Sequence, residues 1–162
     1  KGEYARPLLW SEGIATKGGI YLDTARTQTS DVAVDVGDCR GEKGNAWGAG
    51  EKDIVVSLKA QETGWHKVWL PTVEDGFDPV LWVTSKCPAY DSASAGDGCE
   101  GAANDFNAAH TGEDEKVVVW LDSQITYYVV VDGATADTEG SFSVSAQLCS
   151  TDPDELDYSV CE

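Results

Sequence analysis

Hydrophobic and polar residues alternate along much of this chain with a period of two. Trp65 to Leu70 sets Trp65, Lys67 and Trp69 on one side and His66, Val68 and Leu70 on the other. That is the pattern of a strand with one face in a core. Ser141 to Ala146 alternates in the same way, with Phe142, Val144 and Ala146 predicted inward. Val117 to Leu121 and Tyr127 to Val131 are near-continuous apolar runs, expected of central strands covered on both faces. Trp120 is therefore expected in the core. So is Trp82, in a short strand Leu81 to Val83 that begins just after Pro79. Ile54 to Leu58 reads as a further strand, and Gly19 to Leu22 and Val32 to Val36 as weaker ones. Turn signals fall between them at Glu62-Thr63-Gly64, Glu74-Asp75-Gly76, Asp132-Gly133 and Glu139-Gly140. Asp132 is expected to be a hairpin residue. No segment carries a convincing helical period. Seven or eight short strands with this punctuation predict an all-β antiparallel sandwich or jelly roll.

The 162 residues are one domain's worth, long enough for a hydrophobic core. The sandwich is placed at 14–149. Residues 1–13 form an N-terminal segment whose apolar Leu8, Leu9 and Trp10 make it a candidate exchanged strand between subunits. Residues 150–162 form an acidic C-terminal tail. The chain has no Met and begins at Lys1, which reads as a processed or trimmed product. No apolar run reaches the length needed to span a bilayer, so no membrane insertion is expected.

Charge narrows the partners. Asp and Glu number 29 against 11 Lys and Arg, a formal net charge of -18. Such a balance argues against nucleic acid, whose phosphates need a basic surface, and against anionic membranes. It suits cations, since Ca²⁺ is held by several hard oxygen ligands.

Five cysteines stand at 39, 87, 99, 149 and 161, with no CxxC pair and both histidines far from any cysteine pair. Zinc-ligand spacing is thus absent. Cys87 and Cys99 bracket a Gly-, Ala-, Ser- and Asp-rich loop, whose closure by a disulfide is worth roughly 3 kcal/mol in the chain-entropy model. Cys149 and Cys161 repeat that spacing around an acidic segment; Cys39 is an alternative partner for Cys149, leaving Cys161 unpaired. Disulfides imply an oxidising, extracellular compartment.

The order of these elements resembles the bacterial pre-peptidase C-terminal domain, a β-sandwich appended to many secreted proteases and other exported proteins. The resemblance rests on Asp53 with IVVSL, Thr63-Gly64, FDPVLWV (77–83), the Cys87 to Cys99 loop, Asn104-Asp105, ITYYVVVDG (125–133) and GSFSVSA (140–146). Cys39 ahead of GEKGNAWGAG and the opening GIATKGGIYLDTA fit it more loosely. It covers about residues 14 to 148. The chain departs from the pattern in EDEK after His110 and in its tail, STDPDELDYSVCE. The resemblance implies a non-catalytic module, with calcium, collagen or chitin-like and other insoluble polymers as the ligand classes of the family.

Those ligands are set against particular residues. For Ca²⁺ the candidate ligands are Glu74, Asp75, Asp78, Asn104 and Asp105, which flank strand ends near the cysteine loop. Asp97 and Asp132 are weaker candidates. Turn chemistry is the competing explanation, because Asp and Asn before strands cap turns with their own side chains. For a polymer, Trp47, Trp65 and Trp69 are the candidate contacts, with Trp10 beside them, since exposed indoles stack on sugar rings or peptide. Lys67 between Trp65 and Trp69 suggests that this face sees solvent. There is no GxSxG elbow and no HExxH, and enzyme activity is not expected. The expectation is a secreted, calcium-binding, non-catalytic sandwich acting in extracellular adhesion or self-assembly, with itself as partner. The alternative is an accessory module that binds a carbohydrate or matrix polymer for a secreted protease or other exported enzyme.

Overall fold

The structure, a computed structural model, describes residues 6–8, 20–23, 34–35, 46–47, 54–86, 99–103, 115–133, 140–155 and 161. Eleven strands lie among the described residues: β1 (Arg6–Leu8), β2 (Ile20–Asp23), β3 (Val34–Asp35), β4 (Ala46–Trp47), β5 (Ile54–Leu58), β6 (Gly64–Val73), β7 (Pro79–Thr84), β8 (Cys99–Ala103), β9 (Lys116–Leu121), β10 (Tyr127–Gly133) and β11 (Ser141–Ser150). No α-helix occurs among the described residues. Sheet A has the order β1-β5-β10-β7-β8 and sheet B the order β2-β11-β6-β9; β3 and β4 form a separate two-stranded ribbon.

Eight of these strands pair as nested brackets. β2 pairs with β11, β5 with β10, β6 with β9 and β7 with β8, all antiparallel. The chain thus runs out through β2, β5, β6 and β7 and back through β8 to β11, as one long hairpin. Rolling that hairpin adds two further antiparallel contacts, β10 on β7 and β11 on β6. The two four-stranded layers that result are a jelly roll. β1 is an addition, parallel to β5 with Arg6 opposite Val56, so residues 6–8 extend the edge of sheet A.

The core lies between the sheets. Val56, Leu58, Leu81, Val83, Val129 and Val131 come to it from sheet A, and Val68, Leu70, Val117, Val119, Phe142 and Val144 from sheet B. Phe142 packs on Phe77 with ring centroids 6.1 Å apart. The predicted inward set of β11 is thus in place, as is the split of β6 into an inward His66, Val68 and Leu70 and an outward Trp65, Lys67 and Trp69. The turn predicted at 74–76 is also found. Phe77 N–H donates to Glu74 O at 3.0 Å and Gly76 has φ of 87°, the left-handed conformation that favours glycine at this position of a turn.

Three expectations are corrected. Val117 to Leu121 is an edge strand, with β9 at the margin of sheet B, and its burial alternates instead of being continuous. Trp120 consequently points away from the core and is half-exposed. Asp132 is not a hairpin residue: it lies within β10, 1% exposed, opposite Val80, with Oδ1 accepting the Gly133 N–H at 2.7 Å. Tyr127 to Val131 is central as predicted; β7, read from the sequence only as a short strand, is also central and is buried on both faces. Trp82 is 1% exposed, but on the face of sheet A turned away from the core cluster.

His66 is the buried titratable group of β6, at 3% exposure, with Nδ1 2.9 Å from Gly64 O. Burial lowers its pKa below the ordinary 6.5, outweighing the hydrogen bond to Gly64 and the nearby Glu62 charge, which both raise it. The folded state therefore disfavours the proton, and the unfolded chain binds it more readily. His66 contributes its full stability above about pH 6.5 and loses it as the pH falls below that value. Urea midpoints at pH 7.5 and 5.0 should drop more for the native chain than for His66→Gln. Equal drops would show that the ring titrates normally.

Candidate functional site

Three of the four strands of sheet B, the neighbouring β11, β6 and β9, form a strip on its outer face. β6 supplies Trp65, Lys67 and Trp69 from its outward positions. β9 supplies Lys116, Val118 and Trp120, in register so that Trp65 faces Trp120, Lys67 faces Val118 and Trp69 faces Lys116. On the other side of β6, Ser145 stands opposite Trp69 and Gln147 opposite Lys67. The rows have this form because a period of two keeps residues i, i+2 and i+4 on one side of each strand.

All three tryptophans are partly exposed. Trp65 and Trp120 meet edge-to-face, with centroids 5.4 Å apart and planes at 79°, a geometry favoured by the ring quadrupoles. The Lys67 ammonium lies 4.9 Å from the centre of the Trp69 ring, a cation–π contact. The Trp65 indole N–H is buried without a hydrogen-bond acceptor. None of the three strands contains an Asp or Glu, in a chain that has 29 of them. The surface is thus an aromatic and basic strip on an acidic protein. It can stack on ring faces and donate to oxygen-rich groups.

Trp65 and Trp69 were predicted to share a face, and they do. Trp120 was not anticipated here. Its signal was available, because in an alternating strand the exposed positions of VVVWL must also be apolar. For Trp47 the structure places only the backbone, in β4 opposite Val34.

Of the predicted calcium ligands, Glu74, Asp75 and Asp78 are described, in and just after the turn between β6 and β7. Glu74 is exposed, and its Oε2 accepts both the N–H of Ser141, at 2.9 Å, and the Ser141 hydroxyl. Those bonds hold its pKa below the usual carboxylate value, the hydroxyl contributing most. Its carboxylate is therefore engaged in fastening the 74–77 turn to the start of β11. Asp75 is exposed at the tip of that turn. Asp78 is half-buried just before Pro79, which pairs with Gly133; Asp132 is opposite Val80, two residues beyond Asp78. Asn104 and Asp105 lie outside the described residues, as does Asp97. Among the described residues no three of His, Cys, Asp and Glu are gathered closely enough to hold a metal ion.

Cys149 and Cys161 form a disulfide with Cα atoms 5.1 Å apart. Cys99 is also disulfide-bonded. Its partner lies outside the described residues, and Cys39 and Cys87 are the two cysteines left. No helix among the described residues is long and apolar enough to cross a membrane.

No protein-family model matches the chain, and no curated protein matches it. Among solved structures, the K1 cleaved adhesin domain of Lys-gingipain from Porphyromonas gingivalis is similar over 85% of this chain and 96% of that one, at 12% identity and a TM-score of 0.35. A likeness of that size carries no functional argument. The jelly roll is established by the strand pairing itself, and the pre-peptidase C-terminal resemblance rests on the residues quoted for it.

Proposed function

We propose that this chain is a non-catalytic, extracellular binding module that holds a polymer on the outer face of sheet B. The observation that carries the reading is the strip formed by Trp65, Trp69 and Trp120 around Lys67. Half-exposed indoles on a sheet face leave apolar area uncovered, which a stacked ring removes from water. Along one strand, Trp65 and Trp69 are four residues apart, about 13 Å. That span exceeds a single ring and suits a chain molecule. The disulfides fit an oxidising environment, and an accessory role beside an exported enzyme follows from the same site.

The test is retention on insoluble polysaccharide and on collagen, followed by affinity electrophoresis in soluble polymers. Trp69→Ala should weaken binding about tenfold while the folded spectrum is unchanged. A chain that no polymer retains, with Trp65→Ala and Trp69→Ala variants behaving identically, would sink the reading.

A second reading is calcium-supported adhesion or self-assembly. It is favoured by Asp78 and the buried Asp132 at one end of the sandwich, with Asn104 and Asp105 next in sequence after β8. A bound ion would need further oxygens, since Ca²⁺ takes six to eight. If the end holds calcium, adding EDTA should lower the melting temperature and Asp78→Asn should abolish that response. An unchanged melting curve would leave these carboxylates a purely structural role.

A further inference from the structure

We infer that the outer face of sheet B takes an anionic polysaccharide, carboxylated or sulfated, in preference to a neutral one. The inference rests on the polymer-binding reading above and adds the charge of the ligand. Acids outnumber bases 29 to 11 in the chain, yet β6, β9 and β11 carry Lys67 and Lys116 and no acid. Neither lysine forms an ion pair with a described carboxylate. Lys67 instead lies over the Trp69 ring, and Lys116 is exposed directly opposite Trp69 on the edge strand. Two cations therefore flank one stacking surface.

At physiological ionic strength the screening length is about 8 Å. Acids farther than that from the face are largely screened from a ligand on it, while the two lysines are in contact range. Each sugar ring stacked on Trp69 would bring its carboxylate or sulfate toward Lys67 or Lys116, and Ser145 and Gln147 on the flanking strand can meet its hydroxyls. The face of a sheet, unlike its edge, offers no backbone groups for pairing with a peptide. Anionic membranes are engaged by clusters of about four to eight basic residues, and this strip has two. Nucleic acid also combines stacking with phosphates, but it needs a basic domain to neutralise it, and this chain has a net charge of -18.

Affinity electrophoresis of the full chain at 150 mM NaCl tests this against four probes: polygalacturonate, dextran sulfate, neutral hydroxyethyl cellulose and single-stranded oligo(dT). Either anionic glycan should retard the chain more than the neutral one; which of the two does so identifies the anionic group. Lys67→Gln should weaken anionic binding about three- to fivefold, and Lys67→Gln with Lys116→Gln about tenfold. In both variants retardation by the neutral polymer should fall by a smaller factor than retardation by the anionic ones. Equal retardation by neutral and anionic glycans, with the lysine variants unaffected, would overturn the inference and leave polymer binding intact. Stronger retardation by oligo(dT) would also overturn it, in favour of nucleic acid. No retardation by any probe, together with an inert Trp69→Ala variant, would overturn both readings.

Discussion

Phe142→Ala is expected to lower the unfolding free energy by about 3–5 kcal/mol, whereas Trp120→Ala should cost less than about 1.5 kcal/mol. The contrast is informative because tryptophan is the larger residue. Phe142 is fully buried, packs on Phe77 and pairs with Val73 and Leu22 on the two neighbouring strands. Truncation there removes a ring from between two sheets and leaves a cavity that strands fixed on both sides cannot close. Domains are stable by about 5–15 kcal/mol, so the loss is a large part of the total. Trp120 already gives part of its surface to water, and its removal costs one edge-to-face contact with Trp65. Urea midpoints at constant m separate the two cases. Equal shifts would mean that the outward face of β9 is packed like the core, which would also remove the platform.

Replacing Cys149 and Cys161 together by serine should cost about 3 kcal/mol, the value for a short closed loop in the chain-entropy model. The bridge spans 12 residues and holds Cys161, itself buried, against the end of β11. Between them the chain turns at Ser150 to Glu155, where Asp152 N–H donates to Ser150 Oγ at 3.1 Å and Asp154 N–H to Asp152 Oδ1 at 2.9 Å. These exposed bonds are too weak to hold the segment once the covalent link is gone. The paired variant is needed in place of a reductant, because a reductant would also open the bridge of Cys99. The melting transition should move down while Trp69-dependent binding persists, since Trp69 pairs with Ser145, well within β11. An unmoved transition would mean that the tail adds nothing to the folded state.

Side-chain alternation makes several strands legible in the sequence. Phe142, Val144 and Ala146 face the core, and the split of β6 is as its sequence implies, because both strands have one wet face. β9 was harder. A continuous apolar run describes a central strand and an edge strand with a sticky outer face equally well, and the difference lies in which strands pair, a long-range property. The same ambiguity hid Trp120. Strand β8, CEGAA, has no β-branched or aromatic residue to announce it; pairing with β7 overrides its low local preference. Asp132-Gly133 has the composition of a tight turn, yet pairing with Pro79 and Val80 draws it into β10. Of the candidate site, the shared face of Trp65 and Trp69 was visible from spacing alone. The proximity of Trp120, Lys116 and Gln147 was not, because each is brought to β6 from a different part of the chain.

The nested order of pairing couples recognition to folding. The strip draws on β6, β9 and β11, whose residues 65, 120 and 147 become neighbours only when the long hairpin has been closed and rolled. Its aromatic half needs the β6–β9 pairing, and its complete form, with Ser145 and Gln147 beside Trp69 and Lys67, exists only in the rolled state. A ligand that spans the complete strip favours the rolled state, and stabilises it by RT ln(1 + [L]/Kd). Occupancy by polymer would thus act as a clasp on the whole roll. The module would be hardest to unfold, and so hardest to digest, where its polymer is abundant.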